Sequence, residues 1–338
     1  MAVATISLNN ILETFPISWR MAYAPNPCTS YISSTFNDLV AQDIITPQDK
    51  YFWGFSSVAR YFSPLADELG LIFFEEVICW YFYFDDPFDW GEISHSEADR
   101  LIERMLDILH CGQLPANPSP SERLCASFWK RAYDRAAGRT DAFKRFTLAC
   151  MDWVKSILPI DRRRSQTVAT LQDYNALRLA NVGIIPMYAI NEINLGLSLK
   201  TSFVSLPDVI RLGELTALIV AYCNDIYSYE LEVEKATQLN SLEIRTLENQ
   251  LTLEEAYYEH IDAIREYINE FINIEKSLIE RELLEVSELA TDPEAAQCRQ
   301  EQTSYIDAMR SIILGNHFWS LDDGRYHSVN SPFLELKI

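Results

Sequence analysis

A short acidic motif, Asp85-Asp86-Pro87-Phe88-Asp89, follows one of the most apolar stretches of the sequence. Asp85 and Asp89 are four residues apart, so a helical backbone places both carboxylates on one face. Like charges at that spacing repel each other unless a divalent cation lies between them. Carboxylate oxygens and water are the ligands that Mg²⁺ prefers. Taken alone, the motif fits a metal site or an ordinary polar helix end equally well.

A second polar motif, residues 224–232, follows the other wholly apolar stretch. Asn224, Ser228 and Glu232 stand at positions i, i+4 and i+8, so on one helix they form a line of amide, hydroxyl and carboxylate oxygens. A helix that turns from core to surface would also be polar here. That reading does not explain why oxygen ligands follow both of the wholly apolar segments.

The two apolar segments, residues 71–84 and 215–223, must position these motifs. They are apolar all round, which predicts helices buried at the centre of the fold. Pro87 removes a backbone N–H and restricts the residue before it, so the first of these helices is expected to kink or end there.

Amphipathic helices are predicted around this centre, because apolar residues recur at helical spacing in residues 98–109 and 252–286. Ser94 and Thr252, each followed three residues later by Glu, predict capping boxes, and Thr46 before Pro47 predicts another helix start. The predicted fold class is therefore all-α, with residues 1–338 forming one domain of helices around a deep apolar cavity.

Composition narrows the possible functions. Hydrophobic residues make up 48% of the 338, and 49 acidic against 28 basic side chains give a formal net charge of −21. A dense core is therefore expected, and nucleic acid is excluded as a partner of the surface as a whole. The 10 glycines are few for a fold built from repeated strand–loop–helix units.

The seven scattered cysteines include no CxxC pair and the five histidines do not cluster, which argues against zinc and for reduced thiols in the cytoplasm. No apolar run reaches the length of a membrane span, and the amino terminus lacks a secretory pattern. The sequence leaves open whether the protein forms a homodimer.

Together the two motifs resemble those of class I terpene synthases, whose signatures are an aspartate-rich DDxx(x)D motif and a downstream NDxxSxxxE motif. The matching residues are Asp85, Asp86 and Asp89, and then Asn224, Asp225, Ser228 and Glu232. Arg178, 46 residues before Asn224, stands at the place of the family's diphosphate-sensing arginine. Arg325-Tyr326 matches a carboxy-terminal Arg-Tyr pair, and Trp319 precedes it where the family has an aromatic residue of the cavity wall.

The resemblance implies a cavity in which Mg²⁺ ions, three of them in the family, hold a prenyl diphosphate. The metal ligands would be Asp85, Asp86, Asp89, Asn224, Ser228 and Glu232. Arg178, Arg325 and Tyr326 would donate hydrogen bonds to the diphosphate, which suits the fork of a guanidinium. Asn181, Val182 and Gly183 match the helix break that the family uses beside the leaving group.

Ionisation of such a substrate leaves a carbocation that must be shielded from water. Aromatic ring faces stabilise such a charge by about 0.5–2 kcal/mol each. We expect Phe82 and Trp319 to line the cavity, and Phe55 as a weaker candidate.

The sequence departs from the family at Leu231, where many members carry a basic residue that contacts the diphosphate. Lys235, about one helical turn after Glu232, is the candidate replacement.

The leading hypothesis is a Mg²⁺-dependent cyclase that converts farnesyl diphosphate to a cyclic sesquiterpene or sesquiterpene alcohol. The first alternative is a diterpene cyclase that uses geranylgeranyl diphosphate. A prenyl-chain elongating enzyme normally needs a second DDxxD motif, which the sequence lacks. An alternative of another class is a catalytically silent, acidic helical interaction protein.

Overall fold

The computed structural model describes residues 6–89, 93–157, 170–235, 240–286 and 293–337. This described part is helical and contains no β-strand, since its extended segments form only the isolated bridges Ile6–Phe333 and Ser328–Lys337. The all-α prediction is confirmed. The helices in chain order are α1 (Asn9–Thr14), α2 (Ile17–Ala22), α3 (Ser30–Ala41), α4 (Val58–Phe62), α5 (Glu68–Asp89), α6 (His95–Cys111), α7 (Pro120–Ala136), α8 (Thr140–Ser156), α9 (Leu171–Asn181), α10 (Ile184–Asn194), α11 (Thr201–Val204), α12 (Pro207–Tyr227), α13 (Tyr229–Lys235), α14 (Ser241–Asn249), α15 (Leu253–Val286) and α16 (Pro293–Asp322).

The central helices include the two predicted from the apolar segments. Residues 71–80 of α5 and 215–223 of α12 are all buried, which confirms that prediction. Two further helices share the centre: α10 packs against α8 and α16, and α16 packs against α4 and α12. Among the described helices, none combines the length and the apolar character that a bilayer crossing demands.

Paired charges tie α5 and α10 to the outer helices. Arg131 of α7 donates two hydrogen bonds to Glu76 of α5, at 2.8 and 2.9 Å, and Arg145 of α8 pairs with Glu192 of α10 in the same forked manner. Both glutamates are fully buried. Removing one partner of such a pair leaves a buried charge uncompensated, at a cost of about 3–5 kcal/mol. The pairs therefore fix the helices that carry the cavity walls.

Most predicted helix starts agree with the structure, but one is wrong. Thr252 and Glu255 form a capping box at the start of α15. Helix α6 begins directly after Ser94, but the capping box predicted there is wrong, because the Ser94 side chain caps no backbone N–H of the helix. No helix begins at Pro47. The N–H of Asp49 instead closes a turn on the carbonyl of Thr46, and the Asp49 carboxylate accepts from Phe52, so the chain leads into a short 3₁₀ helix.

A buried histidine on α15 makes stability depend on pH. His260 is fully buried, its Nε2 lies 2.8 Å from the carbonyl of Tyr222, and burial lowers the pKa of His260 to about 3. An unfolded histidine has a pKa of about 6.5. Between these values the unfolded chain binds more protons than the folded one, so the free energy of unfolding falls as the pH drops.

From pH 7 to pH 5, we expect His260 alone to lower the free energy of unfolding by about 2 kcal/mol. Urea unfolding of the wild type and of His260→Gln at both pH values checks this, because the variant should lose about 2 kcal/mol less. His110→Gln, at an exposed position, is the matched control. Equal losses in all three proteins would contradict the assignment.

Candidate active site

A cavity of about 230 Å³ lies among the central helices and brings both sequence motifs to one place. Its apolar lining includes Val58, Phe62, Ile78, Met187 and Val220. Its polar lining consists mainly of the residues singled out from the sequence, which are Asp85, Asp86, Arg178, Asn181, Asn224, Ser228, Glu232, Arg325 and Tyr326.

One wall carries the aspartate-rich motif on the last turns of α5. Asp85 and Asp86 both line the cavity. The described helix runs through Pro87 to Asp89, so it does not end at Pro87 as one alternative of the prediction had it. The side chain of Asp89 lies outside the described part of the structure.

The second wall carries Asn224, Ser228 and Glu232. They do not share one uninterrupted helix, because α12 ends at Tyr227 and α13 begins at Tyr229. The helical spacing nevertheless continues across the junction. The N–H of Ser228 bonds the Asn224 carbonyl at 2.8 Å, and the N–H of Glu232 bonds the Ser228 carbonyl at 2.9 Å. All three residues therefore line the cavity.

Two adjacent residues after α16 link the walls. Arg325 lies 3.6 Å from the carboxylate of Asp86, and the Asn224 amide donates to the Tyr326 hydroxyl at 3.0 Å. The Asp323 carboxylate accepts from the N–H of Arg325 at 3.0 Å and so caps the 3₁₀ turn that carries both. Because Arg325 lies beside the first motif and the adjacent Tyr326 contacts the second, the two oxygen-rich motifs lie close together at one end of the cavity.

Arg178 projects from α9 into the same end of the cavity. Its guanidinium lies 3.3 Å from the Asp225 carboxylate and donates to the Tyr174 hydroxyl at 3.2 Å. Burial raises the pKa of Asp225, although Arg178, Ser241 and Tyr174 act in the opposite direction. These contacts hold Arg178 beside the second motif.

Asn240, just before α14, is a site residue that the sequence analysis missed. Its Nδ2 donates to the Glu232 carboxylate at 2.9 Å and to the Asp225 carbonyl at 2.8 Å, while its Oδ1 accepts from the N–H of Leu242 at 3.0 Å. The side chain is fully buried. Burial and repulsion by Asp225 raise the pKa of Glu232 to about 8, and the Asn240 bond opposes this shift. An Asn followed by Glu three residues later is an N-cap signal that could have drawn attention to this position.

The helix break lies where it was expected. Helix α9 ends at Asn181, and Gly183 takes the left-handed conformation, with φ of 75°, before α10 begins. The Trp153 indole donates to the Asn181 carbonyl at 3.1 Å and so satisfies one free carbonyl of the helix end. Asn181, Val182 and Gly183 all line the cavity. Nothing in the sequence pattern singled out Trp153.

The aromatic candidates occupy two layers. Phe82 and Trp319 line the cavity, with Arg325 4.4 Å over the ring of Phe82 and Trp319 edge-on to Tyr326. Phe55 does not line it, which corrects that expectation. It is fully buried and stacks behind Phe82 with ring centroids 4.5 Å apart. Phe55 therefore supports the wall, because the bulk of Phe82 lies between it and the cavity.

The departure at Leu231 is visible in the structure, since Leu231 lines the cavity where a basic residue would bring a positive charge. The side chain of Lys235 lies outside the described part. Of the described lining residues, only Arg178 and Arg325 are cationic.

In sequence and in fold the chain is similar to known terpene synthases. A family model described as terpene synthase family 2, C-terminal metal binding, matches residues 76–270. Terpene synthase 1 of Acytostelium subglobosum is 28% identical over 98% of each chain, and terpene synthase 4 of Physarum polycephalum is 30% identical over 81% of this chain and 79% of its own. The fold matches linalool/nerolidol synthase from Streptomyces clavuligerus with a TM-score of 0.74, at 20% identity, over 89% of this chain and 97% of that one.

Replacing Asn240 with Ala should destabilise the protein by about 2 kcal/mol, because a helix cap is lost and the Glu232 and Asp225 oxygens lose a buried donor. Urea unfolding measures this. Asn249→Ala, which removes an exposed amide at the other end of α14, is the control and should change stability by less than about 0.5 kcal/mol. Equal effects of the two substitutions would show that Asn240 holds nothing in place.

Proposed function

The chain belongs to the terpene synthase family, and on that premise we propose that it is a Mg²⁺-dependent cyclase of farnesyl diphosphate. Family membership makes it a lyase-type enzyme with a metal-binding domain, acting on a prenyl diphosphate. In this proposal the enzyme ionises farnesyl diphosphate and cyclises the resulting cation to a cyclic sesquiterpene or sesquiterpene alcohol. One observation carries it: oxygen donors from α5 and from the α12–α13 junction meet at one end of an apolar cavity, beside Arg178 and Arg325.

The residues present fit Mg²⁺. Asp85, Asp86, Asn224, Ser228 and Glu232 offer carboxylate, amide and hydroxyl oxygens, the hard donors that this ion takes. Within the described residues, no group of three or more His, Cys, Asp or Glu side chains is arranged as a metal site of its own. Mg²⁺ is commonly bound by one or two carboxylates together with substrate phosphates, so the protein needs to supply only some of its ligands. We propose three ions, with Asp89 as a further ligand.

When bound, Mg²⁺ would stabilise the negative charge that develops on the diphosphate as the allylic carbon–oxygen bond breaks. Arg178 and Arg325 would bind the diphosphate oxygens, and their guanidinium groups stay charged throughout. Asn224 orients the Tyr326 hydroxyl, which would donate a further hydrogen bond. Phe82 and Trp319 would face the hydrocarbon chain and shield the cation from water. Trp319 would also stabilise the cation through its ring face, whereas the ring of Phe82 is covered by Phe55 and Arg325.

The size of the cavity favours farnesyl over geranylgeranyl diphosphate. A volume of about 230 Å³ is small even against the roughly 300–1,000 Å³ typical of small-molecule pockets, which argues against the longer geranylgeranyl chain. The structural match to linalool/nerolidol synthase, which was solved in complex with 2-fluorogeranyl diphosphate, supports a prenyl diphosphate in this fold.

We also propose that residues 1–338 act as one domain and that the enzyme works in the cytoplasm. All seven cysteines are free thiols, which suits a reducing compartment.

Replacing Asn224 with Ala, or Glu232 with Gln, should lower kcat by about a hundredfold or more, because several kcal/mol of charge stabilisation depends on the metal ligands. Diphosphate release with Mg²⁺ and farnesyl diphosphate measures this. Glu254→Gln, on the exposed first turn of α15, is the control and should keep the wild-type rate. Unchanged rates in the first two variants would show that Asn224 and Glu232 are not metal ligands.

Incubation with geranyl, farnesyl and geranylgeranyl diphosphates, followed by gas chromatography–mass spectrometry, tests the substrate. The highest kcat/KM is expected for farnesyl diphosphate, with cyclic products. A preference for geranylgeranyl diphosphate would favour the diterpene alternative. Absence of diphosphate release from all three would favour a silent interaction protein.

A further inference from the structure

A single buried amide stands out in the apolar part of the cavity. Asn316 of α16 lines the cavity and is only 3% exposed, and its Nδ2 has no hydrogen-bond partner in the described structure. It lies six residues before the end of α16, about 9 Å along the helix from the turn that carries Arg325. Asn316 is therefore remote from the end of the cavity assigned to the diphosphate.

The packing of α16 does not require this amide. On one side, Gly315 packs so closely on α4 that a Cβ atom would come within 2.4 Å of the Tyr61 carbonyl. On the other side, His317 Nδ1 lies 2.6 Å from the Tyr227 hydroxyl. These neighbours fix the helix, whereas the Nδ2 of Asn316 finds no acceptor among the described residues. Buried polar groups in native proteins are nearly always satisfied, by ordered water where protein partners are lacking.

A second unsatisfied group lies one turn further along the same helix. Ser320 is fully buried, and its Oγ has no hydrogen-bond partner in the described structure. Side chains at i and i+4 of a helix are about 5–6 Å apart at their Cβ atoms, a separation that one water molecule can bridge. Asn316 and Ser320 thus form a pair of unsatisfied polar groups one helical turn apart on α16.

Resting on the proposed cyclase function, we propose that Asn316 holds the water molecule that ends the reaction, so that the product is an alcohol. The Asn316 amide donates to the water oxygen and leaves its other lone pair free. That lone pair forms the new carbon–oxygen bond at the cationic carbon. The resulting oxonium ion passes a proton to the Ser320 hydroxyl, one turn nearer the diphosphate end, and this hydroxyl releases its own proton toward the released diphosphate, so that a neutral alcohol remains. Asn316 is then a determinant of product class.

The test is turnover of farnesyl diphosphate with Mg²⁺ in H₂¹⁸O, with products and diphosphate release both measured. The wild type should give an alcohol that carries ¹⁸O. Asn316→Leu, close in shape but apolar, should lower the alcohol-to-hydrocarbon ratio at least about tenfold, the factor expected from one lost hydrogen bond. Diphosphate release should stay within about threefold of wild type, because ionisation takes place at the other end of the cavity.

Ser320→Ala should lower the same ratio, and it carries the test alone if thermal unfolding shows that Asn316→Leu does not fold. Asn249→Leu, the same change at an exposed position, is the control and should leave the products unchanged. An unchanged ratio in folded Asn316→Leu, or in Ser320→Ala when it carries the test, would overturn the inference. Wild-type diphosphate release that yields only hydrocarbons would overturn it while sparing the cyclase proposal. Absence of release from any prenyl diphosphate would refute the cyclase proposal itself, and the inference with it.

Discussion

Carboxylates crowded at one end of an apolar cavity are the feature on which the rest of the site depends. Asp85, Asp86 and Glu232 line this space, and among the described lining residues only Arg178 and Arg325 oppose them. Low-dielectric surroundings strengthen the repulsion between such groups. Divalent cations and a polyanion, bound together, would relieve it, because the cations neutralise the carboxylates and the arginines neutralise the anion. The same surroundings that make the free site unfavourable therefore make joint binding strong.

The scaffold keeps these groups in place by burying polar contacts behind them. Asp225 lies behind the second motif, where Arg178 and Tyr174 reach it, and Asn240 holds Glu232 from the other side. On the opposite wall, Phe55 stacks behind Phe82, over which Arg325 lies. The cavity surface is thus supported by a second layer of side chains, and preorganised groups of this kind need little rearrangement during the reaction.

Local pattern predicted the central features of the fold, because burial and helical spacing act over short stretches of chain. It identified α5, α12 and both motifs, whereas the break at Gly183 was expected only from the resemblance to class I terpene synthases. It could not predict which side chains stand behind the cavity wall, since that depends on packing between distant segments. Phe55 was misplaced for this reason, because an aromatic residue in the core and one in a cavity wall look alike in sequence. Trp153 and Asn240 act through contacts that only the folded chain creates.

The central claim is that both motifs share one metal–diphosphate site, and joint ligand binding tests it most directly. The melting temperature of the wild-type protein should be measured with Mg²⁺, with inorganic diphosphate, and with both. The account predicts that the combined shift exceeds the sum of the separate shifts, because each ligand creates binding contacts for the other on the folded state. A combined shift no larger than that sum would contradict a shared site.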